Sequence, residues 1–494
     1  MRQIKGEVVD VKPLFSKSTP FEDEDRFHDQ CGVFGAWGIP EASTITYLGL
    51  HALQHRGQES AGIVSSEGER LFVYKGLGLV QEVFSSRLLE QLIGDRAIGH
   101  VRYRTAGDSG LHNAQPIAVD FALGSIAVAH NGNFIGFESM RAELEAQGSI
   151  FQTSSDTELV IHLIARSKKA SLSERVAEAL SNLHGAFSML FLTPSELIAV
   201  RDPHGIRPLC MGRLGDGVVF ASEPTAFDLI GACHERDLGP GEMLIVNPEG
   251  LRSLYPFEER PKRTCVFEYV YFARPDSTID GISVYEARKR MGQVLAEEQP
   301  AEVDVVIAVP DSGVSAALGY AARLGLPYEV GLIRSHYVGR TFIEPSQSIR
   351  DFGVRLKLSP VRKVLEGKRV AVIDDSIVRG TTSHKIVRML RNAGAKEVHL
   401  RISSPPTRWP CFYGIDTPSP HELIASTHSI AEISAFIGCD SLGYLSLEGL
   451  HRAMGHLRGR ERAFCDACFS GEYPIPLSTK GNEDGKKRLP LAWG

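Results

Sequence analysis

The chain has 494 residues, a formal net charge of −6, 43% hydrophobic residues and 23% charged residues. That length suits about two to four domains of ordinary globular composition, at roughly 100–200 residues each. The acidic balance lacks the basic footprint of a nucleic-acid binder, and no apolar run approaches the roughly 20 residues that cross a bilayer, so neither nucleic acid nor membrane is expected as a partner.

Residues 1–30 read as a polar extension. They hold seven acids and no apolar stretch of the kind a secretory signal needs. At Cys31 the character changes to short apolar runs broken by glycine: "CGVFGAWG", "SAGIVSS", "GSIAVAH", "GAFSMLFL", "LIAVRD", "GVVFAS" and "GEMLIV". These predict strands of layered sheets, with helices at "RAELEAQ" and "SERVAEALSNL". The charged, proline-bearing stretch "NPEGLRSLYPFEERPKRT" predicts a linker. Beyond about residue 265, "DVVIAVPDSG" followed by "VSAALGYAARLG", and "KRVAVIDDSIVRGTTS" followed by "HKIVRMLRNAGA" and "KEVHLRIS", predict parallel βαβ units. Residues 474–494 predict a polar tail.

The sharpest local signal is Val370–Ser383. Four apolar residues end in Asp374 and Asp375, at the carboxyl end of a strand where open α/β sheets bind ligands. A turn with Gly380 then opens a helix through Thr381, Thr382 and Ser383, whose N–H groups and hydroxyls suit a phosphate or a cap. No lysine stands in a G-x-x-x-x-G-K-[ST] pattern, which excludes a nucleoside-triphosphate P-loop. Adjacent carboxylates suit a sugar diol. This string resembles the diphosphoribosyl-binding motif of type I phosphoribosyltransferases. The resemblance implies that Asp374 and Asp375 take the ribose and lie near Mg2+, and that Arg379, Gly380, Thr381 and Thr382 hold the 5-phosphate. "VPDSG" is similar to the pyrophosphate loop, with Ser312 joining the magnesium site. "SHYVGRTFIEPSQSIR" is similar to the closing loop, whose Arg340, with Lys357 beyond it, faces pyrophosphate.

In the first half, "LQHRGQESAGI", "GHVRYRTAG", "AHNGNFI" and "TSSDTE" follow "CGVFG" in that order, and "DPHGIRPL" and "SE" follow them. Together they resemble the glutamine amidotransferase domain of the N-terminal nucleophile hydrolase superfamily. The resemblance implies a four-layer αββα sandwich. Cys31 is then the nucleophile, Asn131 and the N–H of Gly132 are the oxyanion donors, Arg102 binds the glutamine α-carboxylate, and Asp156 binds its α-ammonium. An α-amine with a pKa near ~7.7–8.0 can serve as base at neutral pH. That chemistry needs the Gln30–Cys31 bond to be cut, which makes residues 1–30 a propeptide.

Eight cysteines are too few for a disulfide scaffold in so long a chain. Cys265, Cys411, Cys465 and Cys468 contain one C-x-x-C pair and fit either structural zinc or an iron–sulfur cubane. Cys210, Cys233 and Cys439 are expected as core thiols. The whole chain from 31 to about 475 resembles the glutamine phosphoribosylpyrophosphate amidotransferase family, through "EYVYFARPDS" as well. That resemblance places a [4Fe–4S] cluster on the four cysteines, as in the branch with a propeptide. It implies a two-domain α/β and α+β enzyme: propeptide 1–30, glutamine amidotransferase domain 31–260, phosphoribosyltransferase domain 261–473 and tail 474–494. The implied reaction converts glutamine, phosphoribosyl pyrophosphate and water to 5-phosphoribosylamine, pyrophosphate and glutamate, at the start of purine synthesis. A cytoplasmic homotetramer inhibited by purine nucleotides is the expected form. Glucosamine-6-phosphate synthase and asparagine synthetase relatives would lack the Asp374–Ser383 string. A non-catalytic sensor of phosphoribosyl pyrophosphate would have no use for Cys31, Arg102, Asn131 and Asp156 together.

Overall fold

The structure is a computed structural model that describes residues 31–103, 110–335, 358–417, 419–455 and 464–477. All seven apolar runs of the first half are strands. One antiparallel sheet has seven strands in the order Cys233–Asp237, Cys210–Leu214, Gly217–Ala221, Gly32–Trp37, Arg96–Arg102, Ser60–Glu67 and Arg70–Leu77. The other has six, in the order Gly250–Leu254, Met243–Asn247, Leu197–Arg201, Gly185–Leu192, Gly124–Phe134 and Ile117–Phe121.

The runs are apolar on both sides because both faces of each sheet are covered. Along Gly32–Trp37, Val33 and Trp37 enter the core between the sheets, while Phe34 and Ala36 face the helix side. Helices Ala42–Ala52 and Thr225–Ile230 pack there. Helices Thr157–Arg166 and Leu172–Ser181 cover the second sheet, against Phe187, Met189 and Phe191. The result is the expected αββα sandwich with three stacked cores.

The expected linker is shorter than its sequence suggests. Gly250–Leu254 is an edge strand paired with Met243–Asn247. It is almost wholly exposed, so no apolar pattern marks it. Asn247 Oδ1 accepts from the Glu249 N–H at 2.9 Å and closes the hairpin turn.

The second half holds a parallel sheet of Val305–Ala308, Arg369–Asp374, Glu397–Ile402 and Ser441–Tyr444. Helices Val284–Glu298 and Val314–Leu324 cover one face, and Thr381–Asn392 and Ile430–Ile437 the other. The first helix pair crosses at two glycines. A Cβ on Gly292 would stand 1.9 Å from the Ala316 carbonyl oxygen, and one on Gly319 1.9 Å from that of Lys289. Overpacking of this kind typically costs about 1–3 kcal/mol. Gly319→Ala is therefore expected to lower stability by about that amount despite alanine's better helix propensity, as measured by denaturant unfolding.

Candidate active site and cysteine pocket

Cys31 lies directly before the central strand Gly32–Trp37 and is buried. Its Sγ is 3.7 Å from the Tyr103 carbonyl oxygen, and its own carbonyl accepts from Arg56 Nε at 3.2 Å. Burial pushes the thiol above its ordinary range, against the opposing pull of the Tyr103 carbonyl contact and Arg102. Asp156 and Glu59 also act on it, and both raise it. Arg102 closes the strand Arg96–Arg102 and stands 3.2 Å from both carboxylate oxygens of Glu59.

Asn131 comes from the strand Gly124–Phe134. Its Nδ2 donates to Ser222 Oγ at 3.3 Å, and the same hydroxyl accepts from the Val33 N–H at 3.0 Å. Ser222 thereby ties the Asn131 amide to the backbone two residues beyond Cys31. Asp156 precedes the helix Thr157–Arg166 and accepts from the Phe134 N–H at 2.9 Å. Burial raises its carboxyl, but His130, the Phe134 N–H and Thr157 outweigh that and hold it below the usual range. Gly132 has no room for a side chain, since a Cβ would meet the Ala186 carbonyl oxygen at 1.9 Å. The structure thus gathers Cys31, Arg102, Asn131, Gly132 and Asp156 at one end of the paired sheets.

In the second half, Asp374 ends the strand Arg369–Asp374, and both Asp374 and Asp375 are buried. The Asp375 N–H donates to Asp374 Oδ1 at 3.0 Å, and the Asp375 carbonyl accepts from Ser404 Oγ at 2.7 Å. The "VPDSG" turn presses against this strand end. A Cβ on Gly313 would be 2.3 Å from the Ile373 carbonyl oxygen, and Ser312 Oγ reaches Asp374 Oδ1 at 3.5 Å. Gly380, at φ +79°, turns the chain into the helix Thr381–Asn392. The glycine itself occupies the cap position, so the cap residue has no side chain to accept from that first turn. Arg379 forms an ion pair with Glu422 at 2.9 Å. Arg340, Lys357 and all but the first residue of the expected closing loop lie outside the described residues.

Four cysteines distant in sequence line one pocket: Cys265, Cys411, Cys465 and Cys468, with Ile206, Arg207, Tyr413, Ile415 and Ala467. The strands Thr264–Cys265 and Phe464–Cys465 pair in parallel, which sets Cys265 opposite Cys465. The carbonyl of Cys468 accepts from the N–H groups of Arg408 and Trp409 at 3.0 and 3.1 Å. The Tyr413 N–H donates to Cys411 Sγ at 3.3 Å. Burial pushes all four thiols up. Of the remaining cysteines, Cys210 is buried and Cys439 half-buried, but Cys233 is exposed, contrary to its reading as a core thiol. It lies on an edge strand with one side open to solvent.

Residues 100–228 match the glutamine amidotransferase domain family, and residues 282–403 match the phosphoribosyl transferase domain family. The amidophosphoribosyltransferase of Bacillus subtilis is 55% identical over 452 residues, covering 91% of this chain and 95% of that protein. The chain belongs to the amidophosphoribosyltransferase family. Amidophosphoribosyltransferase 1, chloroplastic, of Arabidopsis thaliana is 57% identical over 475 residues, covering 94% of this chain and 83% of its own length. A solved structure of glutamine phosphoribosylpyrophosphate amidotransferase from B. subtilis, complexed with ADP and GMP, superposes with a TM-score of 0.87 at 54% identity, covering 91% of this chain and 98% of that one. As a member of the family, the chain carries out glutamine-dependent amidotransfer to phosphoribosyl pyrophosphate in purine biosynthesis. No helix among the described residues is long and apolar enough to cross a membrane.

The sequence motifs under-read several buried polar residues. Arg56 sits inside "QHRGQ", Arg207 inside "DPHGIRPL", and Ser222 and Glu223 are the "SE" pair, yet none of them carries an obvious role in sequence. Their partners are far away in the chain and become visible only after folding. The same holds for Phe412 and Gly414, which pack across the two halves. Asn133 Nδ2 donates to the Phe412 carbonyl at 3.1 Å, and a Cβ on Gly414 (φ +104°) would lie 3.0 Å from the Cα and carbonyl carbon of Gly132. Gly414→Ala must displace Gly132. Glutamine-dependent turnover is expected to fall about 10-fold or more, given that a misplacement near 1 Å can cost about 10²-fold. Activity with free ammonia should stay near wild type, and parallel assays with the two nitrogen donors check this.

Proposed function

We propose that residues 31–260 hydrolyse glutamine at Cys31 and residues 261–473 use the released ammonia on phosphoribosyl pyrophosphate. The observation that carries this reading is the charge pattern around the thiol. Arg102 and Asp156, of opposite sign, both act on Cys31, as suits a zwitterionic amino acid whose side-chain amide lies over the sulfur. Arg102 binds the α-carboxylate and Asp156 the α-ammonium. Cys31 Sγ attacks the amide carbon, and the oxyanion is held by Asn131 Nδ2 and the Gly132 N–H. Losing one such donor typically costs about 10²–10³ in rate. Ammonia leaves, and water cleaves the thioester to glutamate.

The thiol proton needs an acceptor, because burial raises the thiol. The groups acting on it are a backbone carbonyl, a guanidinium and two carboxylates, and Asp156 is held ionised. Asp156, held below the usual carboxylate range, is a weak base at neutral pH. The α-amine of Cys31 itself fills that role once Gln30–Cys31 is cut, which makes residues 1–30 a removable propeptide.

Ammonia then passes within the protein to the second domain and displaces pyrophosphate from the ribose C1. Asp374 and Asp375 orient the ribose hydroxyls. The first-turn N–H groups after Gly380 receive the 5-phosphate, with Arg379, Thr381 and Thr382 around them. Arg340 and Lys357 face the pyrophosphate. The paired carboxylates and the Ser312 hydroxyl supply hard oxygen donors that fit Mg2+, which is commonly held by one or two carboxylates and by substrate phosphates. Held by these residues, Mg2+ would supply positive charge against the departing pyrophosphate.

The four-cysteine pocket fits a [4Fe–4S] cluster better than zinc. No three of its sulfurs lie within 4.8 Å of one another among the described residues. A tetrahedral zinc with Zn–S near ~2.3 Å would draw its four sulfurs to within about 4 Å of each other. A cubane, with one thiolate on each iron, holds them further apart. The cluster would supply a structural cross-link with no part in the transfer. The free thiols suit a reducing, cytoplasmic setting. A homotetramer, with purine nucleotides inhibiting at the phosphoribosyl loop, completes the proposal; the B. subtilis relative was solved with ADP and GMP.

Cys31→Ala is expected to abolish glutamine-dependent turnover and spare ammonia-dependent turnover; loss of both would refute separate sites. Intact mass of active protein should show Cys31 as the first residue. Full glutamine activity in a chain that retains residues 1–30 would rule out the α-amine as base.

A further inference from the structure

We propose that Arg207 is the cationic partner of the cluster held by Cys265, Cys411, Cys465 and Cys468, and that its charge sets how readily that cluster accepts an electron. This rests on the cluster reading above.

The string "DPHGIRPL" is explained first by its backbone. The Asp202 carboxylate accepts from the N–H groups of His204 at 3.0 Å, Ile206 at 2.9 Å and Arg207 at 3.2 Å. The Arg207 carbonyl accepts from Arg201 Nε at 2.9 Å and Ser188 Oγ at 3.2 Å. The main chain of Arg207 is therefore fixed on both sides. Its side chain lines the four-cysteine pocket.

The guanidinium is fully buried, and neither its Nε nor either Nη has a hydrogen-bond partner. Its nearest acid is Glu268, with Nη1–Oε1 at 3.4 Å. Both Glu268 oxygens are already taken by Arg56, at 2.8 and 3.0 Å. The other pocket residues, Ile206, Tyr413, Ile415 and Ala467, offer no anion. A buried charge with idle donors is costly unless something anionic completes it. Four thiolates bound to an Fe4S4 core in its usual resting state form a dianion, and one-electron reduction adds a further negative charge. A fixed guanidinium against the sulfurs favours that reduced form. Net charge and hydrogen bonds to sulfur are the recognised controls on cluster potential.

The test uses the full chain, reconstituted anaerobically with iron and sulfide. Bound iron is assayed, and the potential is measured by mediated titration followed by electron paramagnetic resonance. Arg207→Met should shift the potential downward. Arg207→Lys, which keeps the charge, should remain closer to wild type. Glu268→Gln removes the competing anion and should shift the potential upward; it carries the test if Arg207→Met does not fold. Iron-loaded Arg207→Met at the wild-type potential, or Glu268→Gln at or below it, overturns the assignment while leaving the cluster intact. Wild-type protein that takes up no iron overturns the cluster reading itself, and this inference with it.

Discussion

Glu268 is fully buried where the two halves of the chain meet, and the guanidinium of Arg56 grips both its oxygens while Arg207 stands 3.4 Å away. Arg56 also bonds Glu223 and the Cys31 carbonyl. Removing one member of such a buried pair typically costs about 3–5 kcal/mol, although the intact pair contributes little net stability over an apolar replacement. Its value is geometric. Arg56, which bonds the Cys31 carbonyl, is held by an acid of the second half, so the position of Cys31, the proposed nucleophile, is tied to the packing between the halves.

The segment Glu268–Ser277 extends that tie. The Arg274 N–H and Ser277 Oγ donate to Glu223 at 3.0 and 2.6 Å. Arg288 holds the carbonyls of Tyr269 and Ala273, both at 2.8 Å, and interacts electrostatically with Asp375. Glu268, Arg274 and Ser277 of this stretch thus bond Arg56 and Glu223 of the first half, while Arg288 holds its Tyr269 and Ala273 carbonyls. In the proposed reaction ammonia passes from the first site to the second; Tyr269, Val270, Phe272 and Ala273 of this stretch are buried, while Arg274, Pro275 and Asp276 are exposed.

Much of this was legible in sequence, for identifiable reasons. Strands covered on both faces are continuous apolar runs, so Gly185–Leu192 and Arg369–Asp374 declare themselves. The edge strand Gly250–Leu254 does not, because solvent covers it and its residues are free to be polar. Asp374 and Gly380 could be placed at a strand end and a helix-opening turn from the local sequence pattern. Arg56, Arg207 and Glu268 could not. An arginine between a histidine and a glycine looks like surface charge until folding brings a carboxylate from 212 positions away against it. Cys233 errs in the other direction. A free cysteine reads as core, and only sheet order shows that Cys233 begins an edge strand.

The cysteine pocket has one further geometric consequence. Its walls come from both halves: Ile206 and Arg207 from the first, and the four cysteines from the second. Cys411 is followed closely by Phe412 and Gly414, which lie against Asn133 and Gly132 on the strand that carries the proposed oxyanion donors. A cluster bound at Cys411 would fix the start of that segment covalently, and the segment in turn limits where Gly132 can stand. In the proposed mechanism a group with no chemical step of its own would therefore still govern glutamine hydrolysis, because oxyanion donors tolerate little displacement. Loss of the proposed cluster would then be felt first at the proposed glutaminase site, through backbone position, and only later at Asp374 and Asp375, which are anchored on a separate strand through Ser312 and Ser404.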